Sequence, residues 1–225
     1  LSISCGRIHF RLPCLPPEDF PVMSGSDFSH SFALPASELR RLVDKTRFAI
    51  STEETRYYLN GIYLHSAETD GGPMLRAVAT DGHRLARIDS EQPDGAGGMP
   101  GIIVPRKAVA ELRKLVDEID GAVAIELSDP KIRFAFDSVV LTSKLIDGTF
   151  PDYERVIPQG NDKMLEMSAA SFIQAVDRMA AISTDKSRSI KLALEPERLV
   201  LSANSPDSAS GEEELPVDYD GPSIE

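Results

Sequence analysis

A chain of 225 residues, 41% of them hydrophobic, is long and apolar enough to bury the core of one or two domains. Its formal charge of −12 argues, taken over the whole chain, against nucleic acid as a partner, and two cysteines, Cys5 and Cys14, are too few for a disulfide framework or a zinc site. No apolar run approaches the ~20 residues that cross a bilayer, and the first residues lack a secretory signal pattern, so the expectation is a soluble, cytoplasmic protein with no membrane partner.

In chain order, residues 3–12 read as two short strands around Cys5-Gly6-Arg7, the end of a domain whose first part is absent. Residues 13–29, rich in Pro, Ser, Asp and Gly, suit a connection between domains. Pro35 then opens an amphipathic helix ending near Phe48, with Leu39, Leu42, Val43 and Thr46 on one face. Extended runs are expected over 56–66, 74–80 and 84–88, and residues 92–101 read as a mobile loop. A short strand at 102–104 leads through Pro105 into a second amphipathic helix carrying Val109, Leu112, Leu115, Val116 and Ile119. Three strands follow at 123–127, 131–136 and 139–144. After an irregular stretch to Pro158, residues 164–167 and a helix over about 168–182 begin the same pattern again, with strands at 189–194 and 199–203.

The pattern repeats. Glu38-Leu39-Arg40-Arg41-Leu42-Val43-Asp44-Lys45 recurs as Glu111-Leu112-Arg113-Lys114-Leu115-Val116-Asp117-Glu118, and Leu39, Val43, Asp44 and Lys45 are echoed by Phe172, Val176, Asp177 and Arg178. Repeated units of this kind join edge to edge into a continuous sheet with all helices on one side. Charge is uneven as well. From residue 192 onward Arg198 is the only base among many acids, whereas Arg40, Arg41, Lys45 and Arg47 crowd the first helix and Arg106, Lys107, Arg113 and Lys114 the second. Such helices could meet phosphates without reading bases, although the interleaved Glu38, Asp44, Glu111 and Asp117 equally suit an ordinary solvated face.

The most distinctive stretch is Ala79-Thr80-Asp81-Gly82-His83-Arg84-Leu85-Ala86. Asp-Gly predicts a sharp bend over 80–85 between two extended runs, with its side chains at the rim of a sheet. Asp81 and His83 fit a general base with its carboxylate or a pair of metal ligands, but no nucleophile or third ligand stands at a telling spacing. Gly71-Gly72 lacks the phosphate-loop lysine and the dinucleotide pattern. The expectation is therefore no catalytic residue, no metal and no cofactor. As a binding rim the same residues make better sense.

Three runs, RYYLNG at 56–61, VATDGHRLA at 78–86 and SKLIDGTFPDYERVIP at 143–158, stand together in this order. With these runs the chain resembles the bacterial DNA polymerase III beta subunit family, the sliding clamps, over nearly its whole length. The resemblance implies an α+β clamp fold, built from strand-helix-antiparallel-strand units with sheets outside and helices lining a concave inner face. It implies a domain end plus linker at 1–30, a complete middle domain at 31–158 and the first half of a third at 159–225. It further implies a processivity factor, not an enzyme, that encircles duplex DNA without sequence preference. Short linear peptides of the replicative polymerase, the clamp loader and other clamp-binding proteins would enter a pocket built from Arg56, Tyr58, Leu59, Thr80, Gly82, His83, Arg84, Leu85, Pro151, Arg155 and Val156. Arg40, Arg41, Lys45, Arg47, Arg106, Lys107, Arg113, Lys114 and Arg178 would face DNA. Phe10 and Leu12 would meet Ala181 and Ile182 across a homodimer interface. In the family the pocket is completed by a C-terminal strand and tail that would lie beyond Glu225, so weaker peptide binding is expected of this stretch. A peptide-binding adaptor without DNA contact is the alternative.

Overall fold

The computed structural model describes residues 1–19, 28–182, 189–205 and 209–225, and it divides into two units, Leu1–Asp152 and Tyr153–Glu225. The first unit opens with a hairpin of β1 (Ser2–Cys5) and β2 (Ile8–Arg11), turned at Gly6, which pairs Ile3 with Phe10. Of the expected connection at 13–29, Pro17–Asp19 forms a 3-10 turn and residues 20–27 lie outside the described residues.

Next come β3 (His30–Pro35), α1 (Ala36–Asp44), β4 (Gly61–Thr69), β5 (Gly72–Thr80), β6 (Leu85–Glu91), β7 (Ile102–Pro105), α2 (Arg106–Leu115), β8 (Ala122–Ser128), β9 (Lys131–Phe136) and β10 (Val139–Lys144). Two half-units, each strand-helix-three strands, are thus repeated in tandem. Their first strands are exchanged. The sheets run β10-β9-β8-β3 and β6-β5-β4-β7, so β3 completes the sheet of the second half and β7 that of the first. The two junctions match bond for bond. Pro35 pairs with Ala122 and Pro105 with Gly61, while the Ala36 amide donates to Gly121 O at 2.9 Å and the Arg106 amide to Asn60 O at 2.8 Å.

These bonds make Ala36 equivalent to Arg106 and Thr46 to Val116, both of the latter fully buried. The eight-residue sequence match, in contrast, aligns Glu38 with Glu111 and so runs three residues further along the chain. An amphipathic helix repeats its apolar face every three to four residues, so a match one turn out of place scores as well as the true one. The repetition is real, and its register is set by the strand-to-helix junctions.

Each helix buries one stripe: Ala36, Leu39, Leu42 and Val43 on α1, and Ala108, Val109 and Leu112 on α2. Against these stripes stand the inward positions of the strands, including Leu75, Ala77 and Ala79 on β5, Val123, Ile125 and Leu127 on β8, and Ile132, Phe134 and Phe136 on β9. Both halves share one core. The opposite face of the β4-containing sheet is covered where the Phe150 ring stacks on Tyr63, centroids 4.8 Å apart and planes within 5°. The expected mobile loop at 92–101 is anchored at two points, because Ala96 and Met99 are buried in the core while the residues around them stay half-buried or exposed.

Gly61 sits where β4 meets β7. A Cβ there would press on the Val104 carbonyl oxygen and approach Ile103 Cγ2 at 2.9 Å. Gly61→Ala is therefore expected to lower unfolding free energy by about 1–3 kcal/mol, the scale of overpacking. Urea unfolding checks this, and a change inside about 0.5 kcal/mol would mean that β7 moves aside freely.

The second unit contains α3 (Ala169–Ala180) and the antiparallel sheet β11 (Lys191–Glu195), β12 (Arg198–Asn204) and β13 (Ser210–Pro216). Ser168 caps α3 by accepting from the Ser171 amide. Ala175 and Met179 meet Leu194, Leu199, Leu201 and Leu215 in a separate core. Residues 164–167, expected to start a repeat, form a bridge between Glu166 and Asp218 rather than a strand, and pack Leu165 and Met167 against this core. The strand β13 has no counterpart in the sequence reading, because its Gly-Glu-Glu-Glu run lacks the β-branched and aromatic residues that mark strands.

Candidate functional site

The bend at residues 80–85 is fixed by its own polar atoms. Asp81 Oδ1 accepts from the amides of His83 and Arg84, both at 3.0 Å, and Asp81 Oδ2 accepts from Arg84 Nε at 3.0 Å. Thr80 Oγ1 donates to Arg84 O at 2.8 Å and accepts from the Gly82 amide at 3.1 Å. Burial works to raise the Asp81 carboxyl, but the two amides and the Arg84 guanidinium outweigh it and bring it down to about 2. Asp81 is thus occupied with holding the turn. Gly82 takes φ +89°, and a Cβ there would lie 2.5 Å from Arg56 Nη1, so a glycine allows the guanidinium to lie against the turn.

Arg56 itself is clamped by Glu53, through Nε to Oε2 at 2.8 Å and Nη2 to Oε1 at 2.6 Å. Hydrogen bonding from Arg56 holds the Glu53 carboxyl below its ordinary range. Glu53 was not among the expected site residues, and its position three before Arg56 is the signal that could have found it. The expected strand over 56–60 is instead a 3-10 turn at Tyr57–Leu59 closed by the Asn60 amide on Tyr57 O. This turn places Leu59 in the interior at 4% exposure while Tyr58 stays half-buried beside Gly148. Leu85 is half-buried, His83, Arg84 and Pro151 are exposed, and the Arg84 guanidinium stands 5.9 Å from the Phe48 ring centre. Of the expected pocket residues, nine lie in the first unit, from Arg56 to Pro151; Arg155 and Val156 lie in the second, in the turn Tyr153–Val156, where both are exposed.

The expected DNA-facing cations divide into two groups. Arg113 bridges the two helices, donating to Asp44 at 2.7 Å and Asp117 at 2.8 Å, contacts that hold its proton more firmly than usual. Arg40 donates to the Val116 and Ile119 carbonyls at 2.9 and 3.2 Å and so closes the end of α2. Arg41 bonds Glu38 and the Asp89 carbonyl, Arg47 pairs with Asp44, Lys114 with Glu111, and Arg178 with Glu213. Lys45, Arg106 and Lys107 are exposed and have no ion-pair partner among the described residues. Sequence reasoning named the cations but not their partners, because the pairs from α2 to Asp44 span some seventy residues of chain.

Phe10 and Leu12 are 58% and 45% exposed on the hairpin arm. Ile182 packs against the second core, where a Cβ on Gly211 would collide with its Cδ1, while Ala181 is exposed. Among the described residues no group of three or more His, Cys, Asp or Glu could hold a metal, and no helix is long and apolar enough to cross a membrane.

Against known proteins, residues 33–152 match the family described as "DNA polymerase III beta subunit, central domain", and residues 154–225 match "DNA polymerase III beta subunit, C-terminal domain". The chain is 53% identical over 225 residues to the beta sliding clamp of Caulobacter vibrioides and 39% identical over 227 residues to that of Escherichia coli. Each alignment takes in 100% of this chain and 60% of the relative, so the chain spans about three fifths of their length. A crystal structure of a sliding clamp from Bartonella birtlesii bound to griselimycin is similar, with TM-score 0.92 and 56% identity over 99% of this chain and 60% of that one. A Pseudomonas aeruginosa clamp gives TM-score 0.87 at 40% identity, again over 99% and 60%.

Proposed function

Because the chain belongs to the DNA polymerase III beta subunit family, the sliding clamps, we propose that it is the greater part of a non-catalytic processivity factor that closes around duplex DNA and tethers a polymerase. The mechanism is topological. A closed ring cannot leave the duplex without opening, and a polymerase held to it by a short peptide stays at high local concentration. The proposed domains are the end of a first clamp domain with its linker at 1–30, a middle domain at 31–158 and part of a third at 159–225. The cytoplasm is its proposed location, and a homodimer of the full-length protein closes the ring.

The observation that carries the peptide-binding part is the preformed turn at 80–85, whose Gly82 leaves room for the clamped Arg56 guanidinium. A rim fixed before its ligand arrives loses little freedom on binding. Leu59 is interior and offers an anchor no open surface; in this reading Leu85, Pro151 and Val156 receive apolar anchors, and Arg56, Arg84, Arg155 and the turn backbone hold polar groups. In this reading the nine expected cations face DNA, with Lys45, Arg106 and Lys107, which have no ion-pair partner among the described residues, meeting phosphates directly, and Arg40, Arg41, Arg47, Arg113, Lys114 and Arg178 exchanging a protein partner to do so.

Titrating a polymerase-derived clamp-binding peptide into the full-length protein tests the pocket. Leu85→Ala and Arg155→Ala are each expected to weaken binding by more than about fivefold, the loss associated with interface anchors. Unchanged affinity in both variants would remove the pocket assignment. The adaptor alternative, without DNA contact, would be favoured by failure of the intact ring to stay on circular DNA at any salt concentration.

A further inference from the structure

We propose that the crease between β7 and the end of β10 binds acidic side chains of a partner segment flanking the peptide anchored at the 80–85 bend. The inference rests on the reading of that bend as a peptide rim, and names a second contact of the same partner. The crease has a volume of about 520 Å³, is lined by Ile103, Asp129, Lys131, Lys144 and Asp147 among others, and reaches Gly148. A Cβ on Gly148 would stand 3.1 Å from Tyr58 Cβ and 3.4 Å from Tyr57 Cε2, so the crease runs up to the aromatic pair that follows Arg56.

The sheet arms this crease with cations. Lys144 on β10 stands directly opposite Lys131 on β9, and Lys131 opposite Ser128 on β8, so the three side chains form one row on the face away from Ile132 and Phe134. Like charges directly opposite in a ladder repel, and neither ammonium has an ion-pair partner among the described residues. Ser128, only 6% exposed, has an Oγ without a hydrogen-bond partner. A carboxylate seated between the two ammoniums replaces one repulsion with two attractions.

The lining also decides the kind of partner. Asp129 and Asp147 border the same crease, exposed and without ion pairs among the described residues. A nucleic-acid strand carries a negative charge at every phosphate and would meet both carboxylates. A peptide brings amide donors for them, and carboxylates only where its sequence puts them.

The repeat supplies a contrast. Where the other half ends its third strand, β6 and the exchanged β3 form a crease of the same volume, about 520 Å³, lined by Glu38, Glu91 and Asp94 and by no basic residue. Since β6 runs from Leu85 at the bend to Glu91, this acidic crease lies roughly 20 Å along the strand from the bend. Acidic segments are therefore received on the side of the bend and repelled at the far end.

The test is calorimetric titration of the full-length protein, at low salt, with a polymerase-derived clamp-binding peptide extended at its N- or C-terminal end by a run of glutamates or of glutamines. At one of the two ends the glutamate form is expected to bind about fivefold tighter, the scale of two exposed ion pairs, and to lose that gain at high salt. Lys131→Gln combined with Lys144→Gln should erase the ratio and leave the glutamine peptide's affinity unchanged, while Glu91→Gln should preserve the ratio. Equal binding of the two forms at both ends, or a gain that survives loss of both lysines, would overturn the crease and leave the bend as a peptide site. Failure of every peptide to bind would remove the bend reading and this inference with it. Lysine-dependent binding of an oligothymidylate in place of the acidic gain would overturn it in favour of a nucleic-acid strand.

Discussion

Phe134→Ala is expected to lower the unfolding free energy of the Leu1–Asp152 unit by about 3–5 kcal/mol, the range for removing a fully buried aromatic ring. Phe134 is 1% exposed and pairs with Ile125 on one side and Leu141 on the other. Its ring also borders the space shared by Leu39, Leu42 and Val43 of α1, Val109 and Leu112 of α2, and Ile62, Leu64 and Ala77 of the opposite half. That space is already nearly filled, with about 30 Å³ open, so truncation leaves a void that neighbours on both sheets must line. Because both halves meet at this ring, urea unfolding should remain a single transition moved to lower denaturant with an unchanged slope. A loss below about 1 kcal/mol, or a transition split in two, would contradict a shared core.

Arg76→Ala is expected to cost stability at the lower end of about 3–5 kcal/mol, the range for stranding one member of a buried ion pair. Arg76 is 5% exposed and grips Asp89 with two bonds, Nε to Oδ1 at 2.7 Å and Nη2 to Oδ2 at 2.8 Å. The Asp89 side chain is 25% exposed, so water recovers part of the loss when its partner is removed. The pair also steadies α1, since the Asp89 carbonyl accepts from Arg41 at 2.9 Å and neighbouring Ser90 donates to Glu38 at 3.0 Å. Hydrogen bonding to Arg76 is the main cause holding the Asp89 carboxyl below its ordinary value. A carboxyl lowered in the folded state adds stability above its unfolded value of about 3.9 and loses it as pH falls through the folded value. The gap between the unaltered chain and Arg76→Ala should therefore be full at neutral pH and narrow in acid. A gap that widened on acidification would exclude the pair as its source.

Much of this architecture is legible in the sequence where one residue's environment repeats at a fixed interval. Leu39, Leu42, Val43 and Thr46 recur at helical spacing and are all buried, and Ile132, Phe134 and Phe136 alternate and point to the core. The bend at Asp81-Gly82 was legible because its chemistry is local, carboxylate to backbone within three residues. Partnership between distant segments was not. Nothing in His30–Pro35 says that it pairs with Ala122–Ser128 rather than with the strands that follow it, and nothing in Arg113 says that its guanidinium spans to Asp44. At the candidate site the sequence named the rim residues of the first unit by resemblance. Glu53, which fixes Arg56, left only its three-residue spacing as a signal, and the outward Phe48 emerges only when the 3-10 turn that follows α1 is built.

The exchange of β3 and β7 bears on how the molecule is made. Synthesis delivers residues in order, so His30–Pro35 leaves the ribosome early and waits until Ala122–Ser128 has emerged before its ladder can close. The first three-stranded ribbon likewise keeps an open edge until Ile102–Pro105 arrives. Neither half matures before the other, and during elongation two strand edges stand unpaired, the kind of non-local pairing that slows folding and leaves a chain open to aggregation.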